Sequence, residues 1–523
     1  MATIEGLWRR AKIYLDTGQV WSARATLQTL IARDPGHLGA LLILGGIAWS
    51  EDHVREATGY AHAAADLVGD DPVVIIAVIN ALVQSGETVA ARDLLRHPAL
   101  SGEKMTASLF LHRARSHQIL EQHAQALECY DRAHALGTDG VQFRFFRATQ
   151  LAFNGRLEEA ESELERCVEM EIPFGRAYVE LARFQRATPE RNHLVQIAAR
   201  IGQVEPGSEN EAALEFARYK ELEDLERYDD AWRALSKANT VMSARVQQDV
   251  ARDARLLEQQ LNLCDAEFLR PAGGNHADEP QPIFIIGMPR SGTTLLDRLL
   301  GAHPAVESTG ELRDFGQQMR WMTDHCGVLA PDERTLECLP TLDFPELGRR
   351  YLAQTQWRAQ NSRYFIDKLP ANWVVAGLIH KALPNARIVH MVRDPMDVCF
   401  SNFRAFFSDG YAWSYDPAAL TAHYRQYRTA MAHWHRTLPG VILDVAYADL
   451  VADPEATLRR VLSHCDLEWD PVCIDAKANA APVATLSFAQ ARQPVHDRSL
   501  GAWSPYKDQL EGMRRALSDW IRA

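Results

Sequence analysis

The sequence predicts an all-α helical repeat domain followed by an α/β domain with a central parallel sheet. In the first half, alanines recur at a nearly constant spacing, and in the second half apolar, β-branched runs alternate with helical patterns. A glycine-bounded loop directly follows the first of these runs, an order typical of α/β domains that bind phosphate. We therefore expect a repeat domain with capping helices at residues 1–270, a linker at 271–281 and an α/β domain at 282–523.

The repeat is marked by small residues at the period of a helix pair. Successive anchor alanines are separated by steps of 34, 34, 35, 34 and 71 residues, and the last step spans two repeats. The anchors are Ala23, Ala57, Ala91, Ala126, Ala160 and Ala231, with a skipped anchor near Leu194. Gly18, Gly86 and Gly155 lie five residues before an anchor, where we expect the turn between paired helices. Pro98 interrupts the pattern of the third repeat and predicts a short second helix there.

This pattern resembles the tetratricopeptide repeat over roughly residues 4 to 243, with capping helices over 244–269. One helix pair cannot bury its apolar face alone, so neighbouring repeats stack and form a concave groove suited to peptides. The alternative interpretation is that the array is a spacer or a dimerisation arm.

Composition and charge indicate which binding partners are disfavoured and in which cellular compartment the protein is expected. The net charge of −13 argues against binding to nucleic acid or to an anionic membrane. The 8 cysteines are scattered without a CxxC pair, which favours a reducing compartment and no zinc site. The apolar stretch around Val73 to Val83 contains Asn80 and is too short to span a bilayer, and the first residues have no signal-like apolar core. These observations predict a cytoplasmic protein.

The loop that opens the second domain carries the clearest chemical signal. Residues Gly287 to Leu296 read GMPRSGTTLL after the apolar run 282–286, and such a loop directs backbone N–H groups and a helix N-terminus at one spot. A nucleotide-hydrolysing P-loop reads GxxxxGK[ST], but Thr293 stands here in place of the lysine and Arg290 supplies a cation within the loop. The departure disfavours a kinase or ATPase and indicates a different phosphate ester. A strand–turn–helix without a ligand is the structural alternative.

Three further strands are predicted at Arg363–Ile366, Ala386–Val392 and Val441–Val445, and ligands in parallel α/β sheets bind beyond the carboxyl ends of the strands. The first of them is followed by Asp367 and Lys368, and the second by Arg393, with Ser401 eight residues later. Arg393 and Ser401 could hold a second phosphate by charge and hydroxyl donation. Two anion sites on one sheet imply a ligand phosphorylated at two places.

The motifs GMPRSGTT, VRDPMDVCFS and RSLGAW resemble those of the sulfotransferases that use 3′-phosphoadenosine 5′-phosphosulfate (PAPS). They are most similar to the branch that includes tyrosylprotein sulfotransferases and bacterial relatives fused to tetratricopeptide repeats, and the resemblance covers residues 282 to about 507. It implies a P-loop-like α/β fold, PAPS as the donor and no metal. It assigns the 3′-phosphate to Arg393 and Ser401. It assigns the 5′-phosphosulfate to Arg290, Ser291, Gly292, Thr293 and Thr294.

The same resemblance implies two catalytic residues. Glu311, in the segment His303 to Arg313, takes the position of the family's general base, which a hydroxyl acceptor with a pKa of about 10 or higher requires. Lys368 matches a lysine beside the transferring sulfuryl group and would neutralise charge on the leaving oxygen together with Arg290. The structural alternatives are a capping or ion-pairing role for Glu311 and a solvated strand-end lysine.

Outer contacts to the donor are implied less directly. Tyr447 would contact the adenine, Arg498 the 3′-phosphate, and Thr485 or Ser487 the sulfuryl oxygens. The sequence departs from the tyrosyl branch at two places. Gln493 replaces a lysine, and Ala405, next to Arg404, replaces an arginine.

We therefore expect an enzyme that moves a sulfuryl group from PAPS to a hydroxyl, with a peptide or protein tyrosine held by the repeat groove as acceptor. Sulfation of a carbohydrate or small-molecule hydroxyl is the second hypothesis. The third is a repeat-built interaction protein with a non-catalytic nucleotide-binding domain, against which Glu311 and Lys368 argue. Enzymes of the tyrosyl branch act as dimers, so the resemblance is compatible with a homodimer, but the sequence does not determine the oligomeric state.

Overall fold

The computed structural model describes residues 3–272, 279–327, 331–479, 481–485 and 499–521. Consecutive helices fill the first half of the described chain, as the alanine spacing predicts. They are α1 Ile4–Asp16, α2 Val20–Ile31, α3 Leu38–Ser50, α4 Val54–Ala65, α5 Pro72–Gln84, α6 Thr88–Leu95, α7 Ala107–Ile119, α8 His123–Ala135, α9 Val141–Phe153, α10 Leu157–Glu169, α11 Gly175–Phe184, α12 Leu194–Ile201, α13 Glu209–Asp224, α14 Tyr228–Arg245 and α15 Val250–Leu263. We call α1–α14 the repeat array.

The predicted repeat positions are confirmed in detail. All six anchor alanines are buried where the second helix of a pair meets the first, because only a small side chain lets the two backbones approach. The predicted turn glycines adopt positive φ, for example +77° at Gly86. The equivalent turn positions Asp52, Glu121 and Glu226 adopt the same left-handed conformation although they carry side chains. Helix α6 is 8 residues long and ends before Pro98, as the proline predicts.

The second half combines a sheet with covering helices. Its strands are β1 Gln281–Gly287, β2 Val306–Ser308, β3 Tyr364–Asp367, β4 Arg387–Val392 and β5 Ile442–Ala446. Its helices are α16 Thr293–Leu300, α17 Asp314–Thr323, α18 Glu333–Cys338, α19 Phe344–Thr355, α20 Ala376–Ala382, α21 Pro395–Phe403, α22 Pro417–Thr437, α23 Tyr447–Ala452, α24 Pro454–His464 and α25 Glu511–Ala516.

The described strands form one parallel sheet in the order β2-β3-β1-β4-β5, which confirms the predicted fold class. The four predicted strands lie within one or two residues of their observed bounds, and β2, with 3 residues, is an additional edge strand. β1 is buried along its whole length because it lies at the centre of the sheet with helices on both faces. The strand order reverses at β1, so the carboxyl ends of β1, β3 and β4 meet at a switch point where α/β sheets bind ligands.

The turns between the paired helices of the repeat array contact the α/β domain. Asp52 accepts hydrogen bonds from His325 and the Cys326 backbone, and the Gly86 carbonyl accepts from Gln318 at 3.1 Å. The turn residue Glu121 packs against Gly310. The turns of three successive repeats therefore contact the α/β domain, and the third of them lies next to the predicted catalytic Glu311.

No helix within the described residues has both the length and the apolar content needed to cross a bilayer.

Candidate active site

Residues Gly287–Gly292, which we call the phosphate loop, connect β1 to α16 as the sequence predicts. Gly287 and Gly292 have φ of +147° and +106°, and Arg290 between them has φ of +66°. A Cβ on Gly287 would lie 2.7 Å from the Met391 carbonyl oxygen, and one on Gly292 would lie 2.4 Å from the Tyr447 ring. Both glycines are therefore required by conformation and by close packing, and they bring the loop against the ends of β4 and β5.

Arg290 lines the cavity above the phosphate loop, and its Nε lies 3.4 Å from Ser401 Oγ. Burial, together with the nearby guanidinium groups of Arg183, Arg404 and Arg393, lowers the pKa of Arg290 to about 9. The side chain remains protonated at neutral pH, and the crowding of like charges makes an anion at this spot favourable. The loop arginine inferred from the sequence is thus part of a local basic pocket within a net acidic chain.

The second predicted anion group adjoins the first. Arg393, directly after β4, donates from Nη1 to the Arg290 carbonyl at 3.0 Å and from Nη2 to the Ser499 carbonyl at 2.5 Å. Ser401 is buried on α21 next to Arg290. Burial lowers the pKa of Arg393. The structure therefore brings Arg290, Arg393 and Ser401 together, although they come from two different loops and one helix.

Tyr447 joins the two anion groups. The guanidinium of Arg393 lies over its ring at 4.7 Å from the centroid, its ring packs against Gly292, and its hydroxyl is 2.9 Å from Ser499 Oγ. The predicted contact with adenine is compatible with this position, since Tyr447 also lines a cavity of about 480 Å³ together with Arg393. Contact with a base is untested and remains a prediction.

Two hydrogen-bond donors in this region, Ser291 Oγ and Arg393 Nε, are buried without a partner among the described residues, as is one acceptor, Asn402 Oδ1. A buried donor that lacks a partner costs about 1–3 kcal/mol, so such atoms favour a ligand that accepts hydrogen bonds. Both donors belong to residues that the sequence assigns to phosphate binding. The donor set of hydroxyls, backbone N–H groups and guanidinium groups fits a doubly phosphorylated nucleotide.

The two predicted catalytic residues form an ion pair. Lys368 Nζ lies 2.6 Å from Glu311 Oε1, and the Lys368 backbone N–H donates to the Gly310 carbonyl at 3.0 Å. Lys368 is 1% exposed and Glu311 is 34% exposed, so the carboxylate faces the cavity and the ammonium lies beneath it. The alternative of a solvated strand-end lysine is therefore wrong. Pairing with Lys368 is the ion-pair role considered for Glu311, and it leaves the carboxylate accessible.

Glu307 is the other carboxylate in the segment His303 to Arg313 that could serve as the base, and it lies on the edge strand β2. Its Oε1 accepts a hydrogen bond from Gln360 at 3.4 Å, and burial raises its pKa. It does not line the cavity that Glu311 lines. Of the two carboxylates, Glu311 is therefore the one that lines the cavity next to Arg290.

The structure places three of the residues that we considered for outer contacts to the donor, Thr485, Arg404 and Ala405. Thr485 lies at the site, with its hydroxyl 3.3 Å from that of Thr294. Arg404 pairs with Glu223 of the repeat array at 3.3 Å and also lies near enough to Arg290 to lower its pKa, while Ala405 is buried. Arg498, Ser487 and Gln493 lie outside the described residues.

His390, His435 and Asp444 form a cluster that the sequence does not reveal, since the three come from β4, α22 and β5. Asp444 Oδ1 is 2.7 Å from His390 Nδ1 and 2.9 Å from His435 Nε2. Two ligands of one tetrahedral zinc lie roughly 3.4 Å apart, so these spacings fit direct hydrogen bonds better than a metal centre.

A cavity of about 340 Å³, which we call the acceptor cavity, lies between the α/β domain and the repeat array. Arg290, Thr294 and Glu311 form its floor on one side. Sequence reasoning missed the opposite wall, which consists of aromatic side chains from α9 and α11 and, from the α/β domain, Phe407 and Tyr411. Burial and the charge of Glu311 raise the pKa of Tyr411, so its phenol remains a neutral hydrogen-bond donor.

Comparison with known proteins agrees with this geometry. Residues 282–471 match the model of the sulfotransferase family. An uncharacterised protein of Aquifex aeolicus is 27% identical over 385 residues, which are 70% of this chain and 49% of that protein. The protein-tyrosine sulfotransferase of Drosophila melanogaster is 24% identical over 245 residues, 42% of this chain and 46% of that protein. The chain thus spans about half the length of each of these relatives.

Two of the solved structures to which the chain is similar each cover about half of it. The sulfotransferase domain of the Synechococcus olefin synthase is 19% identical and covers 49% of this chain and 99% of that chain, with a TM-score of 0.33. A tetratricopeptide repeat protein from Parabacteroides merdae is 17% identical and covers 46% of this chain and 93% of that chain, also with a TM-score of 0.33.

Proposed function

We propose that this chain, whose residues 282–471 match the sulfotransferase family, moves a sulfuryl group from PAPS to an acceptor hydroxyl, which is a peptide or protein tyrosine. The observation that carries the proposal is the position of Glu311. Its accessible carboxylate shares one cavity with Arg290 and Thr294 of the anion site and is paired with the buried Lys368. An anion site next to an accessible carboxylate is what transfer of a charged group to a hydroxyl requires.

The donor would be held at both phosphates. Backbone N–H groups at the start of α16, with Ser291, Thr293 and Thr294, would bind the 5′ end, where the helix N-terminus adds partial positive charge. Arg393 and Ser401 would bind the 3′-phosphate. Ser291 Oγ and Arg393 Nε, which have no partner within the part of the chain that the structure describes, would supply donors at both ends. PAPS supplies a sulfuryl group already activated by its bond to phosphate, so the protein has to align the reactants and stabilise charge.

The residues of the chain would act on the acceptor oxygen, which attacks the sulfur, and on the phosphate oxygen, which leaves it. Glu311 accepts the proton of the acceptor hydroxyl while the acceptor oxygen bonds to sulfur. The bond between sulfur and the phosphate oxygen breaks, and its electron pair remains on that oxygen of the product, 3′-phosphoadenosine 5′-phosphate (PAP). Lys368 and Arg290 neutralise the charge that develops there. The low exposure of Lys368 strengthens this interaction because water screens it little.

The resemblance to the tyrosyl branch and the similarity to the Drosophila protein-tyrosine sulfotransferase support tyrosine as acceptor. All eight cysteines are free, which supports a reducing compartment such as the cytoplasm. We also propose the division into a repeat domain at 1–270, a linker at 271–281 and a sulfotransferase domain at 282–523.

The role of Glu311 is tested by Glu311→Gln, which keeps size but removes the base. We expect turnover of PAPS with a tyrosine peptide to fall about 10²–10⁴-fold, the range typical of a general base. PAP affinity, measured by calorimetry, should change little, because Glu311 faces the acceptor side. Glu307→Gln is the matched control and should retain turnover.

Two results would contradict this assignment. A parallel loss of PAP affinity and turnover would make Glu311 a donor-binding or folding residue. Sulfuryl transfer to a glycan pool with none to any tyrosine peptide would favour the carbohydrate hypothesis and leave the chemistry intact.

A further inference from the structure

The acceptor cavity is built jointly by the two halves of the chain. Its floor comes from the α/β domain, whereas much of its wall comes from α9 and α11 of the repeat array. The wall contains the aromatic residues Phe146, Phe153 and Phe184, which carry the argument, and the polar residues Thr149 and Glu180. Helices of the repeat array therefore face Glu311 directly, which a spacer or a distant recruitment arm would not do.

The wall is fixed relative to the floor. The Val483 backbone N–H, two residues before the cavity residue Thr485, donates to the Phe153 carbonyl at 2.9 Å. Glu121 packs on Gly310, next to Glu311. On another side of the cavity, Arg176 of α11 donates to Ser408 Oγ at 2.9 Å, next to the cavity residue Phe407. Contacts on several sides thus hold the array in one position over the catalytic residues.

The chemistry of the cavity favours a flat aromatic acceptor. Phe146, Phe153 and Phe184 on the array side face Phe407 and Tyr411 of the α/β domain across the same space. Aromatic rings pack well against another ring, but they offer few partners for the hydroxyls of a sugar, which would lose hydrogen bonds to water. The volume of about 340 Å³ lies at the lower end of ligand cavities and suits a single ring.

From this geometry we infer that α9 and α11 of the repeat array are part of the acceptor site and that they select a phenol ring whose hydroxyl meets Glu311. The inference rests on the proposed sulfuryl transfer and adds that the array determines acceptor specificity from within the active site. Phe146 and Phe184 are the specificity-determining residues on the array side. They contact the acceptor ring and take no part in binding the donor.

The experiment measures binding to the full-length protein saturated with PAP, so that it does not depend on turnover. The probes are 4-methylphenol, a short tyrosine peptide and methyl glucoside. Phe146→Ala should weaken 4-methylphenol and peptide binding about tenfold or more, since the ring loses an apolar wall. Phe146→Leu should restore much of the affinity. PAP affinity should be unchanged in both variants, and thermal unfolding verifies that they fold.

Trp21→Ala is the matched control, because Trp21 is an array aromatic that is 78% exposed and lies on α2, outside the cavity. It should bind all probes as the wild type does. Unchanged phenol affinity in both Phe146→Ala and Phe184→Ala would overturn the inference, as would binding of methyl glucoside in preference to either phenol. Binding of 4-methylphenol without the peptide would support the aromatic wall and count against a tyrosine acceptor. Failure to bind PAP would instead count against the proposed function.

Discussion

At the scale of single residues, positive charge is concentrated where the sequence places phosphate ligands. Arg393 contacts two backbone carbonyls and the face of the Tyr447 ring, which hold its position while one guanidinium nitrogen remains without a partner among the described residues. Arg290 is held by a left-handed backbone in the same region. Strain and buried charge of this kind cost stability, and they are commonly retained at functional sites.

We expect Arg393→Ala to weaken PAP binding by about 1.5–3 kcal/mol, the usual worth of a hydrogen bond to a charged group. Isothermal calorimetry with PAP measures the loss. Arg349→Ala is the control, because Arg349 forms an exposed pair with Glu346 on α19 and should leave affinity unchanged. Equal affinities in the wild type and Arg393→Ala would remove this residue from the donor site.

Many of the candidate site residues could be predicted from the sequence, because they belong to short contiguous motifs. Arg290 and Thr294 occupy one loop and one helix start, and Arg393 and Ser401 are separated by a single helical segment. Thr485 lies with its hydroxyl 3.3 Å from that of Thr294, and its contact with the sulfuryl oxygens stays a prediction. The cluster of His390, His435 and Asp444 has no local signal, since its members meet only when β4, β5 and α22 pack.

At the scale of elements, the turns of the repeats serve as contacts as well as connections. The turn position five residues before each anchor is left-handed whether it holds glycine or a charged residue. Asp52 and Glu121 accept the cost of this conformation, roughly 1–2 kcal/mol for a non-glycine residue, and both contact the α/β domain with their side chains. The repeat signal in the sequence therefore predicts the turns, but it does not predict what the turns contact.

Gly310 tests the contact between the array and the catalytic loop. Its φ is +90°, and an added Cβ would lie 2.3 Å from Glu121 Oε2. Gly310→Ala should cost about 1–3 kcal/mol of unfolding free energy and lower turnover, because Glu311 follows directly. Denaturant unfolding and sulfuryl-transfer assays measure the two effects.

Gly59→Ala is the control for that substitution. Gly59 is exposed within α4, and an added Cβ meets nothing within 4 Å. Alanine there should stabilise by about 0.5–1 kcal/mol. If Gly310→Ala matched this behaviour, the Glu121 contact would not position the catalytic loop.

At the scale of the whole molecule, the two halves share one hydrophobic core. Phe216 of α13 packs against Phe406 at 5.5 Å between ring centroids, and Asn239 of α14 donates to the Phe403 carbonyl at 3.1 Å. Tyr506, near the C-terminus, packs on Trp232 of α14 at 5.7 Å. Because large side chains from both halves are buried together, the later repeats and the α/β domain are expected to unfold together.

The docking of the first repeats depends on charge. His325 at the end of α17 lies between Asp52 of the array, at 2.5 Å, and Asp332, at 2.8 Å. Burial alone would lower the pKa of His325, but its hydrogen bonds to the two carboxylates outweigh burial and raise it. The protonated form therefore stabilises the folded state. This contribution is fully present below the unfolded pKa of about 6.5 and is lost as pH rises through the raised folded value.

We predict that the contribution of His325 to the unfolding free energy falls as pH rises from about 6 to 9, so that His325→Gln removes this part of the pH dependence. At pH 6 the substitution should cost about 1.5–3 kcal/mol, since it removes hydrogen bonds to charged groups. Denaturant titrations at several pH values measure both quantities. His112→Gln, at an exposed site on α7, is the control and should keep the wild-type slope. An unaltered slope in His325→Gln would show that this histidine does not couple docking to pH.

By itself the sequence determined the class of fold, the period of the repeats and the phosphate loop with its Arg290. Each of these depends on the spacing of residues that are close together in the chain, and the geometry of helices, strands and turns fixes that spacing. It also placed Glu311 and Lys368 through motifs similar to those of a known family. Only the tertiary structure decided that Glu311 pairs with Lys368, that Arg404 pairs with Glu223, and that α9 and α11 line one cavity with Glu311. Those features depend on the packing of distant segments, and the free energy of such packing is not encoded in the spacing of neighbouring residues.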